Sequence, residues 1–168
     1  MTDIPTAGSA EEAFRKGLAC LEARSPREAA SLFQEAIDVE HQEGGPNPRM
    51  KYLSYLGLAM TLAHGRSEDA IRLCEQAVKR EFYDPEHFCN LGIVYLRNRR
   101  RGPAFKAFQR GLRLKPGHRR IRAELERHDR RSNPTFRFLP RNHPVNRMAG
   151  MWRSRLRDLL DRTRESEV

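Results

Sequence analysis

The side chains best suited to chemistry are six histidines, His41, His64, His87, His118, His128 and His143, and three cysteines, Cys20, Cys74 and Cys89. A metal centre needs ligands at short paired spacings, and these histidines are scattered without them. The cysteines are odd in number and none are closely spaced, which argues against a disulfide framework and against a zinc site. There is no Gly-rich phosphate loop, and no Ser or Cys nucleophile has a recognisable partner pattern. Asp38 and Glu40 lie close together but fall at a helix end, as solvated charge. The pattern argues against an enzyme, and neither a cofactor nor a metal is expected.

The elements that carry these residues are helices. All three cysteines fall on apolar stripes of helical period, where a free thiol acts as a small hydrophobe, as suits a reducing cytoplasm. Between Pro85 and Pro116 stand Phe88, Leu91, Gly92 and Tyr95, then Ala104, Phe108 and Gly111. Gly17, Ala29, Phe33 and Ala36 repeat the spacing of Gly92, Ala104, Phe108 and Gly111 without a gap. Gly57, Ala70, Cys74 and Ala77 repeat it with one extra residue in the turn. Small residues at Gly92 and Ala104 let two helices approach closely, and Phe108 fills the space between successive pairs. Pro116 ends the second helix.

This frame over about residues 10–116 resembles the tetratricopeptide pattern, an aromatic, Leu-Gly, Tyr, Ala, Phe, a small residue and Pro at fixed offsets. Gly111 departs from it, since Ala is usual there, and the intervals between units are longer than usual. The chain looks like a small bacterial-type member with a basic C-terminal extension. The resemblance implies an all-α, right-handed superhelix of three helix-turn-helix repeats, a capping helix and a C-terminal extension helix.

Helix signals agree with it. Ser25-Pro26-Arg27-Glu28 reads as a capping box, Ser67-Glu68-Asp69 and Asp84-Pro85-Glu86 as capped acidic starts, and His64-Gly65 as a stop. Helices are expected at about 10–22, 26–40, 48–63, 67–80, 85–98 and 103–114, with a capping helix over His118–Arg131 marked by Ile121 and Leu125. The expected organisation is a flexible N-terminus (1–9), the repeat domain with its capping helix (10–131), a Pro-punctuated linker (132–144), a basic amphipathic helix (145–162) and a tail (163–168). The last helix carries Val145, Met148, Trp152, Leu156 and Leu160 at helical spacing.

In this fold the first helix of each pair lines the concave surface. Carried over from Gly17, Gly57 and Gly92, the groove-facing positions are Glu11, Phe14, Leu18 and Leu21, then Lys51, Ser54, Leu58 and Thr61, then Glu86, Cys89, Ile93 and Leu96. The chaperone-binding members of the family clamp a peptide carboxylate with Lys, Asn and Arg. Here Phe14, Leu18, Tyr55, Glu86 and Asn90 occupy those places, so the clamp is not expected. The apolar centre suits an amphipathic helix or an extended apolar segment, and part of it equally suits shallow core.

Charge is divided along the chain. Residues 1–90 hold 10 Lys+Arg against 15 Asp+Glu, net −5, whereas residues 91–168 hold 22 against 7, net +15. Such asymmetry suits an acidic partner, a nucleic acid or an anionic membrane surface, and it equally suits well-solvated helices. The extension is expected first to pack back on its own repeats; the alternatives are docking on a partner, or an anionic surface contacted by Arg137, Arg141, Arg147, Arg153, Arg155 and Arg157. Met1–Ala10 shows no signal-peptide pattern, and no stretch reaches the ~20 apolar residues of a membrane span. The expectation is a cytoplasmic adaptor or assembly factor that binds a protein segment in the groove. A nucleic-acid or ribonucleoprotein-associated protein using the Arg-rich half is the alternative.

Overall fold

The computed structural model describes residues 9–43 and 48–128. Among them are seven helices and no strand: α1 (Ala10–Glu22), α2 (Pro26–Gln42), α3 (Met50–His64), α4 (Glu68–Arg80), α5 (Pro85–Arg97), α6 (Arg101–Leu114) and α7 (Arg119–His128). The linker and extension helix expected after Arg131 lie outside the described residues. All but the last two residues of α7 belong to the compact unit Met1–Glu126.

The helices form three antiparallel pairs, α1/α2, α3/α4 and α5/α6. Pairs join through α2 on α3 and α4 on α5, while α3 also packs directly on α5. The core runs as a series of small clusters shared by neighbours, as in a solenoid. The first is built on Phe14, Phe33, Tyr52 and Leu53. Leu58, Ile71, Cys74, Leu91 and Val94 make the second, and Cys89, Ala104, Phe108 and Ile121 the third.

The glycine frame explains the pairing distance. A methyl group on Gly17 or Gly92 would collide with the ring of Phe33 or Phe108. In the middle unit Cys74 replaces that ring, and a methyl on Gly57 would come within 2.7 Å of both the Ala70 carbonyl and the Cys74 sulfur. Gly111 answers to a different neighbour. It faces Ile121 of α7, whose terminal carbon occupies the space an alanine would need. The departure from the repeat pattern is therefore the seat of the capping helix.

Some local signals act otherwise than the sequence suggests. Ser67 accepts a hydrogen bond from Ala70 N at 3.2 Å and Asp84 one from Glu86 N at 2.8 Å, as expected of caps. Ser25 makes no such bond. Its N–H instead donates to the Cys20 carbonyl at 2.8 Å, closing the end of α1, and this turn sets its backbone. Helix α6 begins at Arg101, so Pro103 sits inside its first turn, where a missing N–H costs nothing. Helix α2 runs on to Gln42, which takes up part of the extra length between units one and two.

Candidate functional site

The first helices of the pairs, α1, α3 and α5, stand side by side and are tied by two polar groups. On α1, Glu11 accepts from Lys51 Nζ at 2.6 Å, from Arg49 at 3.3 Å and from the Tyr52 hydroxyl at 3.2 Å. The Lys51 hydrogen bond, ahead of its charge and those of its neighbours, holds the Glu11 carboxyl below its ordinary value. Lys51 also lies 4.9 Å over the Phe14 ring and 5.3 Å over that of Tyr52, a cation–π arrangement. Burial pushes the Tyr52 phenol up to about 12.

The second group joins α3, α5 and α7. Asn90 donates to Ser54 Oγ at 3.0 Å, with both side chains buried. Arg120 of α7 donates to Asn90 at 3.0 Å and to the Tyr55 hydroxyl at 3.2 Å, and it pairs with Glu86. His118 Nε2 lies 2.9 Å from the other Glu86 oxygen. Burial is the main cause that takes the Tyr55 phenol up to about 12. Tyr55, Glu86 and Asn90, which stand where the family's clamp needs other residues, are thus joined by one guanidinium. Arg120 was not legible as their partner, because it lies 30 or more residues away on a separate helix.

The groove positions separate by burial. Phe14, Ser54, Leu58, Thr61 and Cys89 are buried, whereas Leu18, Leu21, Ile93 and Leu96 are half-buried. Phe14 packs edge-on to Tyr55 at 5.4 Å and beside Phe33 at 5.5 Å. Cys89 belongs to the third core cluster, and the Thr61 hydroxyl has no hydrogen-bond partner among the described residues. The expected charged contacts Arg137, Arg141, Arg147, Arg153, Arg155 and Arg157 lie outside the described residues.

Reactive chemistry finds little support in this arrangement. Burial raises the Cys74 thiol and pushes that of Cys89 up to about 12, so both remain un-ionised and weakly nucleophilic. One grouping escaped the spacing argument. Glu81, Asp84 and His87 bring ligand atoms within 4.8 Å of one another across the α4–α5 turn. His87 is fully buried, with Nε2 2.9 Å from Glu81, while its Nδ1 has no partner among the described residues. A cation on Nε2 would leave a buried Nδ1–H without an acceptor, contrary to the second-shell support that ligating histidines normally have. The geometry fits a hydrogen-bonded clamp on the turn.

No helix among the described residues is long and apolar enough to cross a membrane. No family model and no curated protein matches the chain. Among solved structures, it is similar to the Arabidopsis OM64 TPR domain, with a TM-score of 0.57 at 18% sequence identity, over 72% of this chain and 94% of that one. It is also similar to MamA, with a TM-score of 0.51 at 17% identity, over 70% of this chain and 67% of the other. At these identities the likeness speaks for the fold, which is the tetratricopeptide helical-pair solenoid that the Gly/Ala/Phe frame implies.

Proposed function

Taking the tetratricopeptide fold as premise, we propose that the chain is a cytoplasmic, non-enzymatic adaptor or assembly factor that holds an apolar or amphipathic segment of another protein across α1, α3 and α5. The observation that carries this reading is the set of half-buried apolar side chains on those helices: Leu18 and Leu21 on α1, and Ile93 and Leu96 on α5. Each is anchored against a core cluster and retains surface for a partner. Such a row suits a helix or strand presenting alternate apolar anchors. The polar groups beside it are engaged within the chain: Glu11 with Lys51, and Glu86 and Asn90 with Arg120. Recognition here rests on shape and apolar contact.

Photo-crosslinking tests the proposal. A photoreactive residue replaces Leu21 or Ile93 in cells, and exposed Gln76 on α4 serves as the control position. Adducts with a discrete protein at Leu21 and Ile93, absent at Gln76, are the expected result. Adducts with nucleic acid only, or the same adducts from all three positions, would transfer function to the Arg-rich half.

A further inference from the structure

A second surface lies on α4, α5 and α6, apart from the half-buried row. A cavity of about 380 Å³ opens there, with Phe88, Leu91 and Ala107 in its lining and Lys106, Arg110 and Arg113 at its edge. The three cations are exposed and follow helical spacing along α6. None pairs with a carboxylate among the described residues. The surface therefore combines an apolar floor with an unneutralised positive rim.

The same chain displays the matching chemistry at the α4–α5 turn. Phe82 and Tyr83 are 68% and 64% exposed, and their rings meet edge to face with centroids 5.9 Å apart. Glu81 and Asp84 flank them. The turn is fixed in advance, because His87 holds Glu81 at 2.9 Å and Asp84 caps α5 through Glu86 N at 2.8 Å. An aromatic pair on a rigid turn loses little freedom on docking. Aromatic anchors of this kind are the usual centres of binding energy at interfaces.

We propose that copies of this chain associate, the Glu81–Phe82–Tyr83–Asp84 turn of one copy entering the α4/α5/α6 cavity of another. Aromatic rings meet the apolar floor, and the flanking carboxylates meet Lys106, Arg110 and Arg113. Charge complementarity selects this occupant: the turn pairs two acids with two exposed rings, and the cavity pairs three cations with an apolar floor. A nucleic acid would neutralise the rim but cover neither Phe82 nor Tyr83. A junction this small is expected to be transient, and to weaken as salt screens the rim.

Sedimentation velocity of the full chain, over a wide concentration series, is the test. The average mass should rise with concentration, fall at high salt and be indifferent to nuclease. Phe82→Ser with Tyr83→Ser, and separately Arg110→Glu with Arg113→Glu, should each weaken association by about tenfold or more. All four positions are exposed, and circular dichroism of each variant should show unchanged helix content. Mixing the two double variants supplies one intact turn and one intact cavity, so a complex between them should reappear. A monomer at every concentration, association that both double variants retain, a mixture that stays dissociated, or association abolished by nuclease would each overturn the proposal.

Discussion

Where α1 hands over to α2, Arg24 holds a φ of 61°, and at the matching place between α5 and α6 Arg99 holds 60°. Both turns close in the same way, Ser25 N to Cys20 O and Arg100 N to Tyr95 O, each at 2.8 Å. This C-terminal motif favours glycine, because a side chain in the left-handed region costs about 1–2 kcal/mol. The middle unit places Gly65 at positive φ at its own helix end. Arg24→Gly should therefore stabilise the fold, by roughly 1 kcal/mol once glycine's greater freedom in the unfolded chain is subtracted. Urea denaturation checks it, and a loss of stability would show that the Arg24 side chain contributes more than its backbone costs. Spacing in the sequence reveals Gly17, Gly57 and Gly92 as close-approach residues, since Gly17 and Gly92 stand at the same distance from their partners in the next helix and Gly57 only one residue further. It does not reveal that two arginines occupy the turn position glycine prefers, because arginine carries no turn signal.

Between elements, the ties of α1 to α3 and of α6 to α7 make separate predictions. Glu11 is held below its ordinary value of 4.5, chiefly by the Lys51 hydrogen bond. A carboxylate with a lowered folded pKa stabilises the fold above its unfolded value, and that contribution is lost as pH falls through the folded one. Melting measured downward from about pH 5 should thus drop more steeply in the native chain than in Glu11→Gln, with a small difference because the pair is largely exposed. Equal slopes would mean the tie adds nothing measurable. The α7 seat is sharper. Gly111→Ala puts a methyl group 2.4 Å from the terminal carbon of the fully buried Ile121, which must shift within the core, and the overpacking cost of about 1–3 kcal/mol is offset in part by the ~0.5–1 kcal/mol that alanine gains over glycine in a helix interior. Ile121→Val removes that carbon, so the same Gly111→Ala change should cost markedly less in the valine background. A double-mutant cycle with no coupling would separate the two residues. The helices and their order were legible from periodicity and caps. The Gly111–Ile121 contact was not, since it joins a repeat position to a helix outside the repeat and exists only once both are folded.

For the whole chain, the proposed function and its alternative rest on two features of opposite character: a half-buried apolar row on α1 and α5, and a net charge of +15 over residues 91–168. The apolar row could be placed from the repeat frame, but the frame could not say which of its members the core would claim. Phe14, Leu58 and Cys89 proved buried because aromatic and aliphatic neighbours from adjoining helices close over them. Ending the chain at Arg131 removes the extension, which carries 8 arginines against 4 Asp+Glu, and leaves the apolar row whole. Leu18, Leu21, Ile93 and Leu96 all precede the cut, so binding of a protein segment should persist, with weak dependence on salt. Among the arginines removed are the six expected contacts, Arg137, Arg141, Arg147, Arg153, Arg155 and Arg157. Affinity for unstructured RNA should fall accordingly, and the slope of log affinity against log salt should shrink by ~0.7 for each phosphate that is no longer neutralised. That decrease should be the same for unrelated RNA sequences, because phosphate groups carry no sequence information. Fluorescence anisotropy across a salt series reads both quantities on one preparation. Segment binding abolished by the cut while RNA affinity and its salt slope stay constant would reverse the assignment, giving the extension to the protein partner and the helical array to the nucleic acid.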